Sequence, residues 1–432
     1  MNNINKIAIF GLARSGLSAL RLAKKMNIEA LVVNRGPVDS WFKDTQGLVE
    51  RANCYSEDEA SGVFCDVELI VLSPGIPREH KVLAAALNKN IPLISEIEFA
   101  YRYHSHIPVI AITGTNGKTT TTTMISEALT KLGKKVFCGG NIGIPYCDIA
   151  FEEEAPDFAV IEVSSFQLES ITSFHPKVAL ILNVFPNHSE RYNDVKDYAI
   201  AKNNIYKNMT DKDVLILGKE NAYLDLIHSQ ALIKKFSIHE LAAIESELDF
   251  SRAYLKGDHN KANFLATKLA LAALDLYSTA FFQRFIEDFQ GVEHRLEFVG
   301  EFNGLKVYND AKSTNSLATQ TAIRAFADPI YLIIGGKLRN ESDRLLPELL
   351  PFKDKIKTIF LIGEVTQRLA QELGNDFSVE ECFDLKTVLK RAAESHLKGE
   401  LVFSPAHPSF DQFTSYVNRG ECFKTWTREI LS

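Results

Sequence analysis

Short apolar runs recur along the chain, each followed by a stretch with helical spacing of its apolar positions. KIAIFG precedes a helix expected over 16–25, and EALVVN and ELIVLSPG follow as further strands. A helical stretch over 81–90 then leads to IPLIS. Strand and helix in alternation predict βαβ units, and so a parallel sheet covered by helices. Near residue 95 the pattern changes to a polar and aromatic helix, EIEFAYRYHSH, after which a second series begins with IPVIAITG. That series continues through KKVFCGG, DFAVIEVSS, KVALILNV and DVLILG, and its strongest helix is LKGDHNKANFLATKLALAAL. A third series opens near FVGEFNGLKVYNDA and runs through PIYLIIGG, TIFLIGE and ELVFSPA.

At 432 residues the chain is too long for one core, so the three series are expected to be three α/β domains, 1–95, 96–297 and 298–432. Composition is that of a soluble globular protein, 46% hydrophobic and 24% charged. A net charge of −7 argues against a general nucleic-acid binder, whose footprint is basic. Six scattered cysteines without a CxxC pair predict reduced thiols rather than a zinc site or disulfide frame. No apolar run approaches the roughly 18 residues of a membrane helix, and the N-terminal stretch lacks a leader pattern. A cytoplasmic location is expected.

In PVIAITGTNGKTTTTT an apolar strand ends at Gly114 and a helix is expected from Lys118. N–H groups at a helix start converge on anions, and Gly114 and Gly117 allow close approach of phosphate. Lys118 offers an ammonium for the outer phosphates and Thr119 a hydroxyl for Mg²⁺, with Thr115, Asn116 and Thr120 completing an ATP cradle. A GxxxxGK[ST] loop would place glycine at Ile112, so this loop is a shortened form. Glu162 is the only carboxylate in the run FAVIEV, where a buried charge is costly unless paired or bound to metal. His188, past the tip of VALILNV, is expected to project into the same crevice.

TGTNGKTT resembles the central motif of the Mur ligase family, to which folylpolyglutamate synthase is related. The resemblance implies Rossmann-like first and third domains around a central P-loop-type ATPase domain. Glu162 and His188 match the family's metal ligands, and Lys202 in YAIAKNNIY matches a lysine that is carbamylated and supports a second Mg²⁺. Lys118, His188 and Lys202 are thus the implied catalytic residues. NHSER departs from the family's Asp-His-x-Asp-Arg at Asn187 and Glu190. GDHNKANFLAT resembles the GxHNxxN motif, which implies Asn260 and Asn263 on the adenine side, although Asn260 could equally cap its helix. Arg295 in GVEHRLEF and Asp310 in VYNDAKSTN resemble further ATP-binding positions; a surface ion pair competes for Arg295.

SSFQLE and SPAHPSFDQFTSYVNRG resemble the branch of the family that adds D-glutamate to UDP-N-acetylmuramoyl-L-alanine in peptidoglycan synthesis. Lys312, Thr314, Arg339, Ser409, Phe410 and Tyr416 are then implied at the amino-acid site. IFGLARSGLS nearly matches a dinucleotide fingerprint but has Ala13 at the second glycine, and EALVVNRG ends without the acid that a nicotinamide cofactor requires. Ser15, Asn34, Arg35, Ser73 and Gly75, with Asn141 and His188, are instead implied around the UDP-sugar. A monomer is expected. The rival readings are a ligase for another amino acid, a nucleotide-driven switch or transport ATPase, and a UDP-sugar-binding pseudoenzyme.

Overall fold

The computed structural model describes all residues except 1–3, 61, 188–190, 220–222, 224, 225, 238–246, 256 and 339–343, and the backbone alone of residue 317. Among the described residues, three sheets follow one another along the chain.

The first sheet has the order β3-β2-β1-β4-β5, all parallel, from β1 (Lys6–Phe10), β2 (Glu29–Asn34), β3 (Cys54–Ser56), β4 (Leu69–Leu72) and β5 (Leu93–Ser95). Ile7 to Phe10 and Leu69 to Leu72 are buried throughout, because strands covered on both faces carry continuous apolar runs. After β1 the chain turns at Gly11 (φ +94°) into α1 (Arg14–Lys25). A Cβ on Gly16 would lie 1.8 Å from the Gly11 carbonyl oxygen, so the helix can meet the strand this closely only with glycine there.

The second sheet, β11-β10-β9-β6-β8-β7, is parallel as well. Its strands are β6 (Val109–Thr113), β7 (Val136–Gly140), β8 (Phe158–Glu162), β9 (Val178–Ile181), β10 (Val214–Gly218) and β11 (Leu232–Phe236). The helix α2 (Glu96–His104) joins the two sheets, and α3 (Lys118–Lys131) follows β6. One continuous apolar core runs from Ile7 and Val32 of the first sheet through Ile97 and Tyr146 to Ile161 and Ile181 of the second. Polar ties reinforce that seam. Ser18 and Arg21 of α1 donate to Asp148 at 2.6 and 2.7 Å. Glu98 of α2 accepts from the backbone N–H groups of Thr172, Ser173 and Phe174 and pairs with Arg102.

In the third sheet the order is β12-β13-β17-β14-β15-β16. β12 (Glu297–Phe302) runs antiparallel to β13 (Leu305–Asn309), and β14 (Ile330–Gly335), β15 (Ile356–Ile362), β16 (Val379–Phe383) and β17 (Gly399–Ala406) complete the parallel part. Unbroken strand–helix alternation is the expectation for this region, and the hairpin departs from it. Asn303 and Gly304, at φ +51° and +87°, form a two-residue turn, and an Asn-Gly pair is the favoured chemistry for it. β3, β11 and β16 are also absent from the expectation. All three lie at sheet edges, where half-exposed segments such as LIKKF and VEECF lack a buried strand's apolar run.

By contacts the chain forms two compact units. One comprises residues 1–242 and 262–278, with the first two sheets; the other comprises 243–261 and 279–432, with the third. No helix among the described residues is long and apolar enough to cross a membrane.

Candidate active site

β6 lies between β8 and β9, so the loops leaving these three strands meet at one edge of the second sheet, where open α/β sheets bind ligands. The loop after β6 turns at Gly114 (φ +155°) and Gly117 (φ +82°), and α3 begins at Lys118 as expected from the sequence. A Cβ at Gly117 would come within 2.5 Å of Asn263 Oδ1. Asn263 also accepts from the Thr121 hydroxyl at 3.3 Å. Its helix, α5 (Asp258–Ala273, with α4 being Val195–Asn203), therefore limits the space behind the loop. The Lys118 ammonium donates to the carbonyls of Gly114 and Thr115, both at 2.9 Å. Thr119 and Thr120 are buried at the helix start.

Glu162 closes β8 and is 2% exposed. Its Oε2 accepts from the Thr119 hydroxyl at 2.9 Å and its Oε1 from the Asn141 amide at 2.8 Å. Sequence reasoning assigns Asn141 to the sugar side; the structure places its amide on the carboxylate of Glu162. Lys202, in α4, is 1% exposed and donates to Gly114 O at 2.9 Å and Thr113 Oγ1 at 3.3 Å. The Tyr198 ring, one turn earlier, lies 4.4 Å from the ammonium. Burial first, and then the nearby Lys118 charge, push the Lys202 amine well below the ordinary lysine value. The loop, Thr119, Glu162 and Lys202 thus gather at one place. His188 lies outside the described residues.

The β9 tip contributes a residue that the sequence reading overlooks. Asn183 Oδ1 accepts from Asn116 N at 2.8 Å, and Asn183 Nδ2 donates to Asn116 O at 3.1 Å. Its only signal in the sequence is a polar residue directly after five apolar ones in VALILNV.

In the first sheet, β1 lies between β2 and β4, and Ser15, Asn34, Arg35, Ser73 and Gly75 lie at or just after the ends of these strands. Asn34 Oδ1 accepts from Leu12 N at 3.2 Å, and the Ser73 hydroxyl donates to Gly11 O at 3.0 Å. Ser15 is half-buried on the first turn of α1, and Arg35 and Gly75 are exposed.

In the second unit, Asp310 follows β13 and is 2% exposed. It accepts from the Ser404 hydroxyl at 2.7 Å and from Leu296 N at 3.2 Å. Burial lifts its carboxyl to about 6, against these hydrogen bonds and the charge of Arg295. Lys312 N donates to His294 O at 3.0 Å, and Thr314 is half-buried two residues on. Ser409 is buried in the loop after β17; Phe410 beside it is 66% exposed; Tyr416 begins α6 (Tyr416–Leu431). Asn260 is buried on the first turn of α5. Arg339 lies outside the described residues. A second overlooked residue is Arg419, fully buried, whose Nη2 donates to Ala311 O and His407 O at 3.0 Å each. A basic residue on a terminal helix carries no sequence signal of burial.

For Mg²⁺ the chemistry of the donors is suitable. Thr119 and Glu162 present hard oxygens in contact, and Mg²⁺ characteristically takes one or two such groups together with substrate phosphates. Among the described residues no group of three or more His, Cys, Asp or Glu side chains gathers as a self-sufficient metal site.

A glycine-bounded phosphate loop over a buried Thr–Glu pair, at the tips of adjoining parallel strands, defines a nucleoside-triphosphate-using α/β protein. Family profiles agree: the Mur ligase middle domain matches residues 112–305, and the MurD-like N-terminal domain of Mur ligases matches 5–95. The chain belongs to the Mur ligase family, whose members are ATP-dependent amide ligases. It is 34% identical to the UDP-N-acetylmuramoylalanine–D-glutamate ligase of Caldicellulosiruptor bescii, covering 99% of this chain and 98% of that one. Its identity to the ligase of the same name from Streptococcus sanguinis is 36%, over 98% and 97% of the two chains. Among solved structures, MurF from Acinetobacter baumannii has a TM-score of 0.59 at 15% identity, covering 99% and 94% of the chains. The UDP-N-acetylmuramate–alanine ligase of Thermotoga maritima has a TM-score of 0.56 at 17% identity, covering 98% and 99%. At such identities these structures speak to the three-domain fold alone.

Proposed function

We infer that the protein is an ATP-dependent ligase that joins D-glutamate to UDP-N-acetylmuramoyl-L-alanine, releasing ADP and phosphate, in peptidoglycan precursor synthesis. Near-full-length identity to ligases of that name supports the substrates. The observation that carries the chemistry is the Thr119–Glu162 pair beneath the loop Gly114–Lys118.

The carboxylate of the alanyl substrate attacks the γ-phosphorus of ATP, and the bond to ADP breaks. The acyl phosphate so formed has a leaving group that a free carboxylate lacks. The amine of D-glutamate adds to the acyl carbon, phosphate departs, and the amine proton is lost to give the amide. Loop N–H groups and the Lys118 ammonium hold the phosphates and offset charge as it shifts during transfer. Thr119 and Glu162 would hold one Mg²⁺, and His188 with carbamylated Lys202 a second; the ions supply Lewis-acid charge neutralisation. Lys202 suits a carbamate because burial and the neighbouring Lys118 charge favour the uncharged amine, the form that adds to CO₂ with loss of a proton.

In this reading residues 1–95 hold the UDP-sugar through Ser15, Asn34, Arg35, Ser73 and Gly75. Residues 96–297 hold ATP, with Asn141 reaching the sugar side and Asn260, Asn263 and Arg295 near the nucleotide; Asp310 adds a contact from the third domain. Residues 298–432 hold D-glutamate through Lys312, Thr314, Arg339, Ser409, Phe410 and Tyr416. Two cationic groups, Lys312 and Arg339, suit a dicarboxylic amino acid. The enzyme works as a cytoplasmic monomer. Purified protein given ATP, UDP-N-acetylmuramoyl-L-alanine and D-Glu, L-Glu, L-Lys or diaminopimelate separately is expected to form amide with D-Glu. Preference for another amino acid, or ATP turnover without the muramoyl substrate, would overturn this reading.

A further inference from the structure

The ladder between β6 and β9 does not stop where the strands end. Leu182 N donates to Thr113 O at 3.0 Å, and Thr115 N donates to Asn183 O at 2.9 Å. The Asn183 side chain then takes the place of the next strand residue, accepting from Asn116 N and donating to Asn116 O. Two residues further, Phe185 N donates to Thr115 Oγ1 at 3.0 Å. Glycine at 114 is part of the same lacing, since a Cβ there would stand 3.1 Å from Leu182 Cβ. A primary amide offers a carbonyl acceptor and N–H donors in one plane, as a peptide group offers one of each, and can pair with both backbone groups of one residue. The phosphate loop is therefore laced to the β9 tip by hydrogen bonds at Thr113, Thr115 and Asn116, with Gly114 packed against Leu182 between them.

We propose that Asn183 is a positioning residue for ATP: it holds Thr115 and Asn116 in the conformation that presents the loop's N–H groups to phosphate. It touches the loop backbone and acts through it. A loop already shaped does not lose conformational freedom on binding, so removing the amide weakens nucleotide binding before it affects the other substrates. The proposal rests on the ATP-binding role of this loop argued above.

Asn183→Ala, Asn183→Ser and the wild-type protein are compared by calorimetric titration with Mg-ATP, by KM for each of the three substrates, and by thermal unfolding. The expected result is a Kd for Mg-ATP raised about tenfold in Asn183→Ala, the scale of one or two lost hydrogen bonds. The KM for D-glutamate stays within about twofold, the unexplained margin of such measurements. Asn183→Ser, which keeps a shorter donor and acceptor, falls between the two and decides the matter alone if the alanine variant does not fold. An ATP Kd within twofold of wild type in a folded variant, or an equal rise in all three KM values, would overturn the proposal. Failure of the wild-type protein to bind Mg-ATP sinks the ATP reading itself; ATP binding without D-glutamate-dependent product sinks only the choice of amino acid.

Discussion

At the scale of single residues the site depends on groups kept in unusual states by burial. Lys202 has its ammonium displaced from water beside another cation, and both effects hold its amine well below the ordinary lysine value. Lys202→Ala is expected to abolish amide formation, and short carboxylic acids added to the assay are expected to restore part of it by filling the place of the carbamate. Full unassisted turnover of Lys202→Ala would refute the carbamate. Lys118 has no such substitute. Lys118→Ala is expected to lower kcat/KM by at least about 10³-fold, the scale on which single charge-stabilising groups act, with folding unchanged by circular dichroism.

The elements around the site are held by two buried glutamates of α2 that behave oppositely. Burial alone pushes the Glu98 carboxyl up, but hydrogen bonds from Ser173 and Thr172 outweigh it and leave the group below its ordinary value. A depressed carboxyl contributes stability that is present above its unfolded value, roughly 4.3, and is lost as pH falls through the folded one. Glu98→Gln removes that charged acceptor and is expected to cost on the order of 3 kcal/mol at pH 7, read as urea unfolding, with a smaller difference at pH 4. Glu96 is fully buried with Oε2 unpartnered, and burial lifts it to about 7. Here the folded state binds the extra proton, so stability falls as pH rises from the unfolded value toward 7. The melting temperature of Glu96→Gln relative to wild type is therefore expected to rise between pH 5 and pH 8. A constant offset would contradict the assignment.

For the whole molecule, most of the architecture could be read in advance where burial writes a long apolar run, as in β1, β4, β6, β8 and β9. Edge strands could not, because half-exposed segments have no such signature, and the β12–β13 hairpin lay hidden in a single Asn-Gly pair. In the site, Gly114, Lys118, Thr119 and Glu162 were legible as chemistry on a strand-to-helix turn. Asn183 and Arg419 were not: each acts through backbone carbonyls or amides brought close only by the fold. The shared core also has a thermodynamic consequence. Trp41 lies within it, and the other tryptophan, Trp426, lies in the second compact unit. In a Trp426→Phe protein, loss of Trp41 emission and loss of ATP binding are expected at the same urea concentration, since both report one cooperative body. Separate midpoints would show that the first sheet opens by itself.

That continuous core from Ile7 to Ile181 also bears on how such an enzyme can be rebuilt. A graft of a foreign uridine-recognition module in place of the first sheet would have to bring its own match for the apolar seam and for Asp148. Cut at residue 95, the amino-terminal piece would present greasy faces to water and clump. The border that is easiest to draw along the sequence is therefore a poor place to cut.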